Sequence, residues 1–264
     1  MSLTRSEEPV NWILFFILLV AAVAVSLMVM PFTLALVLPP ANAPPPQITP
    51  LVLAATAFQS ILEFSVAIFA GMYLSRRVGF GLPILEGALK GKDVGGYLKS
   101  ILGLSIGMGV VGAALVIFLS LITLPVSLSL LRAEIAVPAW KAVLATFDGG
   151  IAEEILFRLF LMTLFVRISM AIRKREEGGP TNIGIWASII LSALLFGIGH
   201  LPVTGALTNL TRVVIGRSIL LNGTIGIIFG WLYQKKGLES AMIAHFSADI
   251  TLHVILPRVA SLFL

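Results

Sequence analysis

Two adjacent glutamates and an arginine lie inside the apolar stretch AEEILFRLFLMTLFV, residues 152–166. Placing a charged group in hydrocarbon costs free energy, so an ionisable residue within a membrane span is a candidate functional residue. On a helix, Glu154 and Arg158 are four residues apart and share a face, which predicts an ion pair. Glu153 is rotated by about 100° from Glu154 and is left as the free, reactive carboxylate. The alternative is a charge cluster that only fixes helix packing.

Two further apolar stretches carry histidines. SALLFGIGHLP contains His200, with Phe196 four residues earlier on the same helical face, and AMIAHFSADITLH places His245, Asp249 and His253 four residues apart. A single membrane histidine is usually a hydrogen-bonded core residue, but three segments that each offer a proton-handling group indicate a site. There, a carboxylate can activate water and a histidine N–H can donate to a developing oxyanion.

The same side chains allow a second chemistry. Glu153, His200, His245 and Asp249 form a set of nitrogen and oxygen donors that would suit zinc-dependent hydrolysis. The HExxH helix motif of zinc proteases is absent from the sequence. The chain has no cysteine, which excludes thiol nucleophiles and thiolate metal sites. We therefore predict metal-free catalysis by glutamate, with a divalent metal such as zinc as the alternative.

The composition determines which elements must position these residues. Of 264 residues, 58% are hydrophobic and only 12% are charged, and the mean hydropathy is +1.03. Backbone groups in lipid must be hydrogen-bonded internally, so we predict an all-α, polytopic transmembrane helical bundle of seven to eight spans. The spans are predicted at 12–38, 51–74, 98–124, 149–172, 183–200, 217–234 and 238–256.

The net charge of +5 is modest and its basic residues lie mostly in loops. This pattern indicates membrane orientation and contact with lipid headgroups, and it excludes nucleic acid as a partner. Residues 75–99 carry five Lys or Arg and residues 167–175 carry four. The positive-inside rule then predicts that these loops and the N-terminus are cytoplasmic, with Glu153 nearer the outside. A prokaryotic chain of this kind would lie in the plasma membrane.

Glycines suggest where helices break and where they pack. Asp148 is a good helix N-cap and the two glycines after it disfavour a helix, so we predict an interfacial helix at 136–147 and a span that begins near 149. Small-xxx-small spacing predicts close helix packing at two pairs, Gly103/Gly107 and Gly226/Gly230.

The charged motifs, taken in order, resemble the EExxxR, FxxxH and HxxxN/D signatures of the CPBP family. They are EEILFR with Glu153, Glu154 and Arg158, FGIGH with Phe196 and His200, and HFSAD with His245 and Asp249. The family comprises type II CAAX prenyl endopeptidases and bacteriocin-processing or Abi-type immunity proteins. The resemblance covers roughly residues 140–255 and implies an integral membrane protease fold.

The resemblance also implies roles. Glu153 would activate water with help from His200, while His245 and Asp249 would stabilise the oxyanion or position the substrate. Asp249 stands where the family often has asparagine. An ionised aspartate cannot donate a hydrogen bond, so Asp249 would have to be protonated, orient His245 or ligate a metal.

We therefore predict N-terminal spans and a basic connector at 1–135, a CPBP-like catalytic core at 136–256 and a tail at 257–264. The predicted function is an intramembrane endopeptidase with a membrane-anchored peptide or protein as substrate, in CAAX-type processing or in bacteriocin processing and immunity. The alternative is a non-proteolytic scaffold or a proton-coupled transporter that uses the same buried groups.

Overall fold

Helices build almost the whole of the computed structural model, which describes residues 10–37 and 47–264. The predicted first span ends at residue 38, just outside the described residues. The α-helices are α1 (Trp12–Met28), α2 (Met30–Leu36), α3 (Pro50–Val78), α4 (Pro83–Leu89), α5 (Gly95–Ser120), α6 (Leu124–Ile135), α7 (Ala139–Phe147), α8 (Thr163–Ile172), α9 (Asn182–Gly199), α10 (Leu201–Leu207), α11 (Arg212–Lys236), α12 (Leu238–Asp249) and α13 (Leu256–Ala260). Three π-helical stretches interrupt them: π1 (Asp148–Glu153), π2 (Ile155–Met162) and π3 (Ile250–Ile255).

Seven helical runs of the described chain are long and apolar enough to cross a membrane. They are Trp12–Leu36, Pro50–Val78, Gly95–Ile135, Ala139–Ile172, Asn182–Leu207, Arg212–Lys236 and Leu238–Ala260. The prediction of a multi-pass, all-α membrane protein is confirmed, with seven candidate spans among residues 10–37 and 47–264. The third run is longer than predicted because α6 extends it to Ile135.

The predicted helix break at Asp148 is wrong. The helix continues from α7 through π1, and Asp148 has helical dihedral angles and makes no side-chain capping bond. The glycines serve packing instead: a Cβ on Gly149 would press on the side chains of Asp249 and His245. Residues 136–147 therefore include the start of the fourth span, not a separate interfacial helix. Glu153 consequently lies deep within that span.

One of the two predicted glycine pairs packs against another helix. A Cβ on Gly226 or on Gly230 would press on side chains of α9 and π2, which confirms close packing there. The prediction for Gly103 and Gly107 is wrong, because both face open space. Gly109 on the same helix is the residue that lies against the backbone of α12. Close approach brings α9, α11 and α12 around the polar residues.

Helix α6 bonds to other helices at one end of this group. The chain turns at Leu121–Thr123, and the Ser127 hydroxyl donates to the Ser120 carbonyl at 2.8 Å. Ser127 also accepts a bond from Arg217 of α11, while Glu134 near the end of α6 bonds to His253 of π3. Thus α6 connects α11 to the last span. We call this the α6 end of the bundle.

Candidate active site

Glu153 lies between two histidines contributed by other helices. Its Oε1 is 3.7 Å from Nε2 of His200, which follows the last residue of α9, and its Oε2 is 3.5 Å from Nε2 of His245 on α12. The side chains of Glu153 and His200 are 28% and 26% exposed, whereas that of His245 is 5% exposed. A partly exposed carboxylate therefore faces two ring nitrogens, and no arginine is paired with it in the described chain.

Glu154 occupies a different environment one residue later. Its Oε1 lies 2.9 Å from Nη1 of Arg158, and both side chains are buried. The ion pair predicted from the spacing is present. The same oxygen lies 2.7 Å from Nδ1 of His245, a contact that the sequence did not predict. Glu154 thus ties the buried arginine to one of the two histidines.

Aromatic rings hold these polar groups in position. Phe196 lies edge-on to His200 with ring centroids 4.6 Å apart, and the Arg158 guanidinium lies 4.5 Å from the same phenylalanine ring. Phe229 stacks on His245 at 4.5 Å. Phe196, predicted as a supporting residue of the motif, therefore contacts both the ion pair and a site histidine. Phe229 was not singled out in the sequence, because an apolar residue in an apolar span carries no signal.

The hydrogen bonds made by Nδ1 of His200 and His245 determine whether Nε2 of each ring can donate or accept a hydrogen bond. His200 Nδ1 is 2.8 Å from the Phe196 carbonyl, which can only accept, and His245 Nδ1 faces the carboxylate of Glu154. Each Nδ1 must therefore carry a proton. In its neutral form each ring then presents an unprotonated Nε2 to Glu153. The predicted histidine N–H donor to an oxyanion is therefore available from Nε2 only in a protonated ring.

Two aspartates complete the polar site. Asp249 Oδ1 lies 3.6 Å from His245 Nε2, one helical turn later on the same helix, so it faces the predicted partner. Asp148 precedes Glu153 by five residues in π1, and residues five apart share a face of a π-helix. Asp148 interacts electrostatically with Glu153 and Asp249. It was predicted as a helix cap and belongs instead to the edge of the site.

His253 lies further out and binds another residue. Its Nδ1 is 3.2 Å from Glu134 Oε2 at the end of α6, and its ring lies edge-on to Phe32. The π3 stretch alters the simple four-residue stripe predicted for this helix, since each π turn holds more residues than an α turn. His253 therefore links the last span to α6.

The donor set does not have the arrangement of a metal centre. Across residues 10–37 and 47–264, no group of three or more His, Asp or Glu side chains is placed to hold a metal ion. Glu153 and Asp249 face the same imidazole, but as neighbours of its Nε2 at 3.5 and 3.6 Å. No reaction step is assigned to a metal on this geometry.

Comparison with known proteins gives one result. Residues 135–251 match the family model described as type II CAAX prenyl endopeptidase Rce1-like. The matched segment contains every residue assigned above to the three charged motifs. No curated protein and no solved structure matches the chain.

Proposed function

Because residues 135–251 belong to the type II CAAX prenyl endopeptidase Rce1-like family, a family of intramembrane endopeptidases, we propose that Glu153 is the general base of this protease. The observation that carries the proposal is the position of its carboxylate, within 3.7 Å of two histidine Nε2 atoms from two other helices. A membrane-anchored peptide or protein is the substrate.

The reaction begins with a water bound beside Glu153. The carboxylate takes one proton as the water oxygen adds to the peptide carbonyl carbon, which gives a tetrahedral oxyanion. The carbon–nitrogen bond then breaks, and Glu153 returns the proton to the leaving amine. His200 Nε2, a hydrogen-bond acceptor in the neutral ring, positions the water through its second hydrogen.

His245 supplies the positive charge that the oxyanion requires. Carboxylate oxygens of Glu153, Glu154 and Asp249 lie within 3.6 Å of its two ring nitrogens. Opposite charges favour a protonated ring, and a protonated His245 donates from Nε2 to the oxyanion. Asp249 then acts through His245, so its carboxylate need not donate a hydrogen bond itself.

Glu154 and Arg158 have positioning roles in this scheme. Both are fully buried and neither reaches water, which separates them from Glu153 although Glu154 is its neighbour in sequence. Glu154 fixes the orientation of His245 by accepting from Nδ1. In the same way a carboxylate often orients a catalytic histidine in other enzymes.

Substitution of the base by its amide tests the proposal. Purified protein in liposomes is given internally quenched peptides, one farnesylated on a C-terminal CAAX sequence and one unprenylated. The variant E153Q keeps the shape of the side chain but cannot accept a proton, so we expect cleavage to fall by about 10²-fold or more. The matched control is E176Q, which changes an exposed glutamate in the loop after α8.

Two results would contradict the proposal. One is wild-type turnover in E153Q at an unchanged melting temperature. The other is a wild-type protein, properly folded by its melting curve, that leaves both peptides intact. Cleavage of the unprenylated peptide alone would retain the endopeptidase assignment and exclude the CAAX substrate. Activity measured with and without a chelator separates the metal-free scheme from the zinc alternative.

A further inference from the structure

We propose that Arg217 binds the C-terminal carboxylate of the substrate and thereby selects peptides that end shortly after the scissile bond. This inference rests on the proposed endopeptidase activity. A CAAX sequence places three residues after its cysteine, so its free carboxylate lies close to the bond that is cut. A site that selects substrates by the distance between the scissile bond and the C-terminal carboxylate needs a positively charged side chain near the catalytic groups.

Arg217 is held at one edge and open at the other. Its Nε donates to the Ser127 hydroxyl at 3.1 Å, and that hydroxyl gives its own proton to the Ser120 carbonyl. Among the described residues the two terminal nitrogens of Arg217 make no hydrogen bond and no close ion pair. The carboxylate that acts on Arg217 electrostatically is Glu134 of α6, and its Oε2 bonds to His253 instead. This end of a guanidinium matches the two oxygens of a carboxylate, which it binds through parallel hydrogen bonds.

Helix register places Arg217 near the level of His200. The Ser218 hydroxyl donates to the Gly197 carbonyl at 3.1 Å, so these two residues face each other across antiparallel α9 and α11. His200 is three residues beyond Gly197, and Arg217 is one residue beyond Ser218 in the same direction. At about 1.5 Å per residue, the two backbones differ in height by about 3 Å.

The lateral separation fits a short peptide. Packed helices lie about 8–10 Å apart, and three extended residues span about 10 Å. A substrate whose scissile carbonyl lies beside Glu153 and His200 can therefore extend its last residues across to Arg217. A longer C-terminal segment would carry its carboxylate beyond the guanidinium.

The other basic residues at the α6 end of the bundle are less suitable. Arg258 donates to the backbone carbonyls of Glu134 and Val137 and is thereby occupied. Arg132 and Arg212 are exposed and have no anchoring bond within the described chain, so they offer little preorganisation. Arg217 combines partial burial, one fixed bond and an unoccupied end. Partial removal from water strengthens a charge-assisted hydrogen bond.

Peptides that differ only at the C-terminus test the inference. Farnesylated CAAX peptides ending in a carboxylate or in an amide are compared for turnover, and for binding to the E153Q protein by fluorescence anisotropy. We expect the wild-type protein to favour the carboxylate by about tenfold or more, the size of one charge-assisted bond. For the amide peptide we expect a higher KM and weaker binding than for the carboxylate peptide, with kcat nearly unchanged.

Variants assign the preference to one residue. R217Q should bind the carboxylate peptide and the amide peptide equally. R217K should recover part of the preference, because lysine restores the positive charge but cannot donate two parallel hydrogen bonds as the planar guanidinium does. The control R212Q, an exposed arginine on the same helix, should behave as the wild type.

The possible failures are distinguishable. Cleavage of both peptides at equal rates by the wild type would overturn the inference and leave the protease assignment intact. A preference that survives in R217Q would do the same. If no peptide is cleaved, the proposed function fails, and equal binding of the two peptides would then refute carboxylate recognition independently.

Discussion

Removal of Arg158 provides a quantitative test of the buried ion pair. In R158M a side chain of similar length replaces the guanidinium, and among the described residues the buried Glu154 carboxylate keeps only the adjacent His245 ring as a positively charged neighbour. The breaking of a buried pair typically costs about 3–5 kcal/mol when one charge is left uncompensated, and because His245 compensates part of the charge the lower end of this range applies. We expect a loss of that size in the free energy of unfolding.

The double variant E154M/R158M separates stability from catalysis. Glu154 Oε2 and Arg158 Nε have no hydrogen-bond partner in the described part of the chain, so the pair is incompletely satisfied. Replacement of such a pair by well-packed apolar side chains is often neutral. The double variant should therefore regain most of the stability. It should not regain activity, because Nδ1 of His245 loses its acceptor.

Unfolding by titration with denaturing detergent, followed through tryptophan fluorescence, gives the four free energies of the double-mutant cycle. The control is R167M, which removes a partly exposed arginine from the same continuous helical run. A cost below about 1 kcal/mol for R158M would show that the pair is not buried as described, since that is the range of exposed ion pairs. Full activity in the double variant would refute the role assigned to Glu154.

Two further predictions use close packing and the basic loops. G149A should lose activity and about 1–3 kcal/mol of stability, because its methyl group would press on Asp249 and His245; cleavage and unfolding assays check this. G103A faces open space and should match the wild type, and normal turnover in G149A would contradict the packing. For topology, the chain has no native cysteine, so K92C should react with an impermeant maleimide from the cytoplasmic side and N209C from the opposite side. The reverse pattern would invert the orientation given by the positive-inside rule.

Most of the site was accessible from the sequence because its chemistry is local. Spacing of four residues predicted the pair of Glu154 and Arg158, and the rotation of Glu153 away from that pair agrees with its position beside the histidines. The seven spans followed from hydropathy. In each case a few residues along one helix were enough, and no knowledge of neighbouring helices was required.

The errors concern which face of a helix meets which neighbour. An apolar helix shows no difference between a lipid-facing and a buried side, so spacing alone could not distinguish the exposed Gly103 from Gly226. Gly149 was interpreted as a breaker because its contact with α12 is not local. The π-helical geometry that turns Asp148 toward the site was equally invisible, since no residue type specifies it.

The difference in exposure between neighbouring glutamates has a consequence for chemical inhibition. The side chain of Glu153 is 28% exposed and that of Glu154 is fully buried, although both carry the same carboxyl group. A carbodiimide soluble in the bilayer should modify the first and spare the second. A covalent reagent can therefore be directed at Glu153, the proposed general base, without attacking the buried carboxylate of Glu154.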